Sequence, residues 1–182
     1  MIMHVSAQDP LSLLRKMERA TLESAPTLPE ENEGPSLWTG VGFRLGDLHL
    51  VTPIAHVVEV LPYPVITPVP GTKSWIKGIA NVRGNLLTII DLPEFFGKGP
   101  VFEDDQARLL VMNVDGLNAA VLVDEVLGLR HFDETEERQN TSNLDDPVVP
   151  YLRGVLLREK VLWGVFDMHS LAASSSFMHV AA

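Results

Sequence analysis

The feature that most constrains the fold of this 182-residue chain is an internal repeat. When Trp75–Leu92 is placed over Tyr151–Met168, at an offset of 76 positions, apolar residues, glycines and acids coincide. The matched pairs are Trp75 with Tyr151, Gly78 with Gly154, Leu86 with Leu162, Ile89 with Val165, and Asp91 with Asp167. At an offset of 69, the matched sets are Ile54, Val57, Val60 and Val123, Val126, Leu129. The chain is therefore predicted to contain two copies of one structural unit.

Each copy is predicted to consist of short strands separated by turns. Trp38–Leu45 and Leu48–Val51 flank a Gly46-Asp47 turn, and Asp115-Gly116 falls opposite that turn in the second copy. The run Trp75–Gly97 predicts a hairpin with Gly84 supplying the positive φ of its turn, followed by a short helix. Asp91 is the predicted N-cap of that helix and Gly97 its stop. Ile54–Leu61 fits helix or strand by periodicity, and its valines favour strand.

A unit of about 60 residues is close to the lower limit for an independent core, so the two units are expected to share an apolar seam. The prediction is a mainly β fold: two pseudo-symmetric five-stranded barrels packed side by side, with short helices. The first barrel is assigned to about 37–97 and the second to about 107–171. The two repeat offsets differ by seven positions, and the acidic loop 133–146 is the predicted place of that insertion.

The two ends of the chain are predicted to lie outside the barrels. Asp9-Pro10 opens a helical pattern that runs to about Ser24. This helix either packs on its own domain or binds a partner, and the pattern does not favour one over the other. The stretch 25–36, with three prolines and three glutamates, is predicted to be a linker, so 1–36 form an N-terminal helix and linker. Residues 172–182 are expected to form a loose tail.

Charge and composition exclude several classes of protein. The net charge of −10 makes nucleic acid and anionic membrane surfaces poor partners. The absence of cysteine excludes disulfides and thiolate metal sites. The N-terminus lacks a signal-peptide pattern, and no apolar run approaches a membrane span. The simplest expectation is a soluble cytoplasmic protein without direct membrane insertion.

The sequence carries no recognisable catalytic motif. There is no nucleophile elbow, phosphate-binding loop or zinc-protease helix. Gly40-Val-Gly42 lacks the third glycine of a dinucleotide site, and His49 and His56 have no third ligand nearby. We therefore predict no enzymatic activity, no cofactor and no metal site.

The tip of the Trp75–Gly97 hairpin differs between the two copies. The four tip residues of the first copy are Asn81, Val82, Arg83 and Gly84, which face Leu157, Arg158, Glu159 and Lys160 of the second. An arginine in a turn is usually only solvated, and spacing alone favours that interpretation. However, this cation stands out in an acidic chain, and arginine is enriched at interface hot spots. Arg83 is therefore a candidate binding residue.

The run Val69–Leu92 resembles the hallmark of the CheW-like family, the adaptor domains of bacterial chemosensory arrays. Leu109–Val126 resembles the family's second-barrel hairpin and Tyr151–Leu171 a third matching block, so the resemblance covers about 37–171. Thr88 stands where the family often has proline. The opening Trp38–Arg44, the linker and the N-terminal helix look most like the pilus-associated, twitching-motility branch of that family.

The resemblance implies SH3-like barrels and a non-enzymatic adaptor. Family members bind the cytoplasmic tip of a methyl-accepting chemoreceptor in the groove between the barrels, and the regulatory domain of a CheA-type histidine kinase. Matched residue by residue, Asn81, Arg83 and Gly84 are the family's interaction motif. Strand geometry extends the predicted protein-binding site to Ile79, Val82 and Leu86. The alternatives are a nucleic-acid-binding β-barrel protein and an enzyme with an unrecognised site.

Overall fold

The structure is a computed structural model that describes residues 37–114, 116–133, 138–139 and 146–179. The predicted N-terminal helix and linker, and most of the acidic loop, lie outside the described residues. No helix in the described part is long and apolar enough to cross a membrane.

Eleven strands make up most of the described chain. They are β1 (Leu37–Leu45), β2 (Leu48–Pro53), β3 (Val57–Pro62), β4 (Ile76–Val82), β5 (Asn85–Asp91), β6 (Arg108–Met112), β7 (Ala119–Val123), β8 (Glu125–Asp133), β9 (Arg138–Gln139), β10 (Leu152–Arg158) and β11 (Val161–Phe166). Three short α-helices are α1 (Leu92–Phe95), α2 (Met168–Ala173) and α3 (Ser175–Met178), and 3-10 turns cover Ile54–His56 and Val149–Tyr151. The prediction of a mainly β fold with short helices is confirmed.

The strands form two sheets of the same design. One has the order β8-β1-β2-β11-β10-β9 and the other β3-β6-β7-β5-β4. In both, an antiparallel hairpin joins a second one through a single parallel pair, β2 with β11 and β7 with β5. The two-residue strand β9 adds a sixth strand to the first sheet, and its counterpart in the second sheet is the isolated bridge between Thr67 and Ile79.

The division of the chain between the two barrels was wrong. Residues 37–97 and 107–171 were each expected to build one barrel, but each sheet takes strands from both stretches. After β2 the chain turns through the 3-10 helix Ile54–His56 and crosses to the other sheet, where β3 pairs with β6. Conversely, β8 from the second stretch pairs with β1 in the six-stranded sheet. Equivalent strands of the two copies offer equivalent edges for hydrogen bonding. The repeat pattern therefore does not tell whether a strand pairs within its own copy or is exchanged with the other copy.

The register of the hairpins confirms the repeat itself. In the β4–β5 pair Ile76 faces Ile90, and in the β10–β11 pair Leu152 faces Phe166, the positions 76 residues later. A bulge follows the first residue of each pair, at Lys77 and Arg153. Each hairpin then leads into a short helix whose N-cap is an aspartate, Asp91 for α1 and Asp167 for α2. The two stretches are therefore equivalent hairpin-plus-helix units, as predicted.

Three apolar clusters make up the core. One, containing Ala80, Leu87 and Leu109, belongs to the five-stranded sheet, and another, containing Val51, Leu156 and Trp163, to the six-stranded sheet. The largest draws on both sheets, with Phe43, Ile90, Leu110 and Phe166 among its members. The expected apolar seam between the two barrels is thus present.

The C-terminal tail is more ordered than expected. Residues 172–182 were predicted to be loose, but 172–173 complete α2 and Ser175–Met178 form α3. Phe177 is only 2% exposed and lies edge-on to Phe95, with ring centroids 5.7 Å apart. The prediction failed because the burial of Phe177 in the apolar seam outweighs the small polar residues that surround it in the tail.

His56 ends the 3-10 helix that carries the chain between the sheets. The residue is 8% exposed, and its imidazole lies edge-on to that of His169, with ring centroids 4.5 Å apart. Its Nδ1 is 3.4 Å from Thr52 Oγ1 and 3.8 Å from Asp167 Oδ1. Burial lowers the pKa of His56 below its ordinary 6.5, His169 and Arg153 lower it further, and Asp167 opposes the change.

Replacing His56 with glutamine should weaken the dependence of stability on pH between about 7.5 and 5.5, the range around an ordinary histidine pKa. In the unfolded chain His56 binds a proton near pH 6.5, but in the folded chain only at lower pH, because its pKa is lowered. As pH falls, the unfolded state therefore gains a proton first and the wild-type protein loses stability. Denaturant titrations across this range measure the slope. His131→Gln, at an exposed site, is the control, and an unchanged slope in His56→Gln would contradict the expectation.

Candidate functional site at the tip of the β4–β5 hairpin

The predicted site residues lie at the end of the β4–β5 hairpin. Val82 faces Asn85 across it, leaving Arg83 and Gly84 as a two-residue turn. Both have positive φ, +50° for Arg83 and +89° for Gly84, as a type I′ turn requires. Sequence reasoning assigned the positive φ to Gly84 alone, so the left-handed backbone of Arg83 is an additional finding.

The side chain of Asn81 stabilises this turn. Its Oδ1 accepts a hydrogen bond of 2.8 Å from the backbone N–H of Gly84. A short side-chain bridge of this kind offsets part of the cost of holding Arg83 in the left-handed region. The conformation of the tip, and with it the direction of the Arg83 side chain, thus depends on the Asn-Val-Arg-Gly order.

Arg83 is exposed but has an intramolecular partner. Its Nη2 donates to Oε1 of Glu59 on β3, in an ion pair whose side chains are 77% and 23% exposed. β3 and β4 are the first and last strands of the five-stranded sheet, so the pair links the two ends of that sheet. An ion pair this exposed contributes little to stability, about 1 kcal/mol or less. Its main effect is to orient a guanidinium whose remaining donors face solvent.

The register places the other predicted residues on two faces. Asn81 faces Leu86 and Ile79 faces Thr88, so these side chains share the outer face of the hairpin. Leu86 is 63% exposed there, whereas Ile79 is half-buried. Val82 points the other way and packs against the core of the five-stranded sheet. The structure therefore brings Asn81, Arg83, Gly84 and Leu86 together at the surface and gives Val82 a packing role.

Glu59 is the residue of this region that sequence reasoning missed. It is a lone acid in the valine-rich strand β3, next to Val58, which is 65% exposed. An acidic residue in an otherwise apolar strand was a usable signal, but nothing local indicated that β3 would lie beside the hairpin tip. The contact between residues 59 and 83 depends on the pairing of the strands.

The equivalent tip in the second copy has different chemistry. Glu159 and Lys160 form its turn, again with positive φ at both positions, +52° and +68°. Leu157 and Leu162 face each other where the first tip has Asn81 and Leu86, and they are 45% and 55% exposed. The backbone of the two tips is therefore alike, but only the first tip has an arginine in the two-residue turn and an asparagine before it, at the position that Leu157 takes in the second tip.

Within the described residues, no group of three or more His, Asp or Glu side chains is arranged to hold a metal ion. The hairpin tip presents a guanidinium, an amide and an exposed leucine. Of these residues, arginine is enriched at protein-binding surfaces.

Comparison with known proteins relates this structure to a family. Residues 39–176 match the family model described as CheW-like domain. The chain is 38% identical to Protein PilI of Pseudomonas aeruginosa over 174 residues, 96% of this chain and 97% of that protein. It is 42% identical to Protein FrzA of Myxococcus xanthus over 90 residues, 50% of this chain and 56% of that protein. The crystal structure of the scaffolding protein TtCheW from Thermoanaerobacter tengcongensis aligns with a TM-score of 0.67 at 25% identity, covering 82% of this chain and 96% of that one.

Proposed function

The chain belongs to the CheW-like domain family, and from that premise we propose that it couples methyl-accepting chemoreceptors to a CheA-type histidine kinase in a chemosensory array. Members of this family are scaffold and adaptor proteins of chemotaxis-type signalling rather than enzymes. The identity with PilI along nearly the whole chain supports an output in type IV pilus twitching motility. The adaptor would then work in the cytoplasm, held at the receptor array by protein contacts.

The observation that carries this proposal is the exposed Arg83 on a turn fixed by Asn81. The guanidinium has five donors, and its ion pair with Glu59 uses one of its nitrogens. The remaining donors suit a cluster of carboxylates or carbonyl groups on a partner, and Leu86 adds an apolar contact on the same hairpin. The predicted protein-binding residues Ile79, Asn81, Val82, Arg83, Gly84 and Leu86 stay a proposal, to which we add Glu59.

Coupling needs no chemistry at the adaptor. A protein that holds receptor and kinase at once raises the effective concentration of each for the other, and the rigidity of the two-sheet core fixes their geometry. The alternative of a nucleic-acid-binding barrel is opposed by the net charge of −10, because phosphate contacts need a basic surface.

Replacing Arg83 with glutamate should weaken binding to the receptor tip or to the kinase regulatory domain by about tenfold or more, as expected for an interface hot spot. Arg83→Ala should lose less, because it removes donors without adding repulsion. The melting temperature should change little, since the side chain is 77% exposed. Binding titrations of both partners with the full chain, and thermal melts alongside, measure these effects.

The pair with Glu59 supplies a matched control. The double variant Arg83→Glu with Glu59→Arg restores an ion pair between the two strands but leaves the tip with the reversed charge. If Arg83 acts only inside the molecule, the double variant should bind like the wild type. If Arg83 contacts a partner, the double variant should remain weak. Unchanged affinity of Arg83→Glu for both partners would remove Arg83 from the interface.

A further inference from the structure

Two arginines lie over neighbouring aromatic rings of the six-stranded sheet. Arg130, on β8, has its Cζ 5.5 Å from the ring centroid of Trp163, and Arg158, the last residue of β10, has its Cζ 5.4 Å from that of Phe132. The two rings lie edge-to-face, with centroids 5.9 Å apart. Arg130 and Arg158, called the arginine pair below, are therefore both held against the same aromatic cluster.

A glycine on the neighbouring strand makes room for this arrangement. A Cβ added at Gly42 would lie 3.0 Å from Cζ3 of Trp163 and 3.2 Å from Cγ of Arg130. The absence of a side chain at Gly42 thus leaves the space in which the stem of Arg130 crosses the indole. A cation–π contact of this kind orients a guanidinium without supplying acceptors for its N–H donors.

No carboxylate of the described residues neutralises the arginine pair. The arginines that have an acidic partner in this part of the chain are Arg44, Arg83 and Arg153. For Arg130 and Arg158, the contacts within the described ranges are those with the two rings. The adjoining turn, Glu159-Lys160, adds one charge of each sign, so the pair leaves a local excess of two positive charges.

The first copy has aliphatic residues at both positions. Leu61 stands at the repeat position of Arg130, 69 residues earlier, and Val82 at that of Arg158, 76 residues earlier, and the strand registers agree with both matches. Both aliphatic side chains pack against the core of the five-stranded sheet. An apolar side chain is thus sufficient at each place in the fold, and the two cations are particular to the second copy.

The two charges define the class of ligand. A carboxylate carries one negative charge, and a single guanidinium can bind both of its oxygens. A phosphate group carries close to two negative charges and has several acceptor oxygens, so it can accept hydrogen bonds from two guanidiniums at once. Trp163 is 6% exposed and Phe132 is fully buried, so neither ring offers a free face on which a nucleotide base could stack.

We propose that Arg130 and Arg158 together bind a phosphate group, either free or as the monoester of a small metabolite. The rings position the two guanidiniums, and the N–H donors recognise the phosphate oxygens. The net charge of −10 disfavours an extended polyanion, but a single small anion meets mainly the charges within a few ångströms of it. The proposal goes beyond coupling, since it gives the adaptor an anion site on the six-stranded sheet, whereas the candidate tip is on the five-stranded sheet.

The test is a titration of the ¹⁵N-labelled full chain with inorganic phosphate, and separately with glycerol 3-phosphate, up to about 20 mM, enough to detect dissociation constants in the millimolar range. Saturable shifts are expected at the Nε–H of Arg130 and Arg158 and at the indole N–H of Trp163. The tighter of the two probes tells whether the free ion or a monoester is preferred. Sodium acetate at equal ionic strength should bind at least about tenfold more weakly.

Variants carrying the first-copy side chains identify the residues. Arg130→Leu and Arg158→Val should each weaken phosphate binding at least about tenfold, with melting temperatures close to that of the wild type. Lys160→Gln removes a neighbouring cation outside the pair, and as the matched control it should change the affinity by less than about threefold.

The proposal is wrong if neither phosphate probe gives a saturable shift, if acetate binds as well as phosphate, or if either arginine variant binds like the wild type. The titration of the wild-type chain decides the first two points even if a variant fails to fold. None of these results bears on partner binding by Arg83.

Discussion

Replacing Gly78 with alanine should cost about 4 kcal/mol or more of folding stability, in the range reserved for severe core defects. Gly78 has a φ of +139°, which L side chains rarely adopt, and a Cβ there would lie 2.1 Å from the carbonyl oxygen of Thr67. The next nearest atoms are also backbone, the Thr67 carbonyl carbon at 2.7 Å and Pro68 Cα at 2.9 Å. A backbone neighbour cannot rotate away as a side chain can, so the segment itself must move.

That movement would also break hydrogen bonds next to the candidate site. Thr67 and Ile79 exchange two backbone bonds, of 2.8 and 2.9 Å, and these attach the segment after β3 to the β4 edge. Losing them leaves polar groups of the hairpin unpaired, at about 1–3 kcal/mol for each group that stays buried. Denaturant unfolding of Gly78→Ala measures the loss.

Gly97→Ala is the matched control for this substitution. Gly97 also has positive φ, +70°, but nothing lies within 4 Å of an added Cβ. Its substitution should cost only the backbone strain, about 1–2 kcal/mol. Equal losses for the two variants would mean that the Thr67 segment yields readily and that close approach is not what position 78 requires.

The repeat shows how far sequence reasoning reaches in this chain. Gly78 and Asp91 were singled out because both copies keep them, and in the structure they do serve the backbone: one at a close approach, the other at a helix cap. The tip residues were singled out for the opposite reason, because only one copy has Asn81 and Arg83. Both inferences depend on local patterns of residues along a strand or turn, and such patterns are visible in the sequence alone.

The same local patterns could not predict contacts between residues that are far apart in the sequence. The exchange of β3 and β8 between the sheets depends on which of two equivalent edges a strand pairs with, and periodicity is the same in either case. The ion pair of Glu59 with Arg83 is a consequence of that pairing.

Replacing Asp91 with alanine should cost about 3 kcal/mol, the usual scale for leaving a buried charge partner and a buried N–H unpaired. Asp91 is fully buried and accepts hydrogen bonds from the backbone N–H of Glu94 at 3.0 Å and of Val101 at 2.9 Å. Lys77 Nζ lies 3.2 Å away. Burial raises the pKa of Asp91 although all three contacts favour its charged form, so these contacts offset only part of the desolvation cost. Denaturant unfolding near neutral pH measures the change.

Two further variants distinguish the role of Asp91 as the N-cap of α1 from its role in the buried contacts with Val101 and Lys77. Asn caps helices about as well as Asp, so Asp91→Asn should be nearly neutral if capping is all that Asp91 does. If the network matters, Asp91→Asn should be almost as destabilising as alanine, because an amide NH₂ would then face the N–H of Val101 or the ammonium of Lys77.

Asp167→Ala, at the same place in the second copy, should cost less stability than Asp91→Ala. Its partner Arg153 is 57% exposed and keeps much of its hydration when the carboxylate is gone. A larger loss at Asp167 than at Asp91 would show that His56 and Ser170, which also contact Asp167, contribute more than burial does.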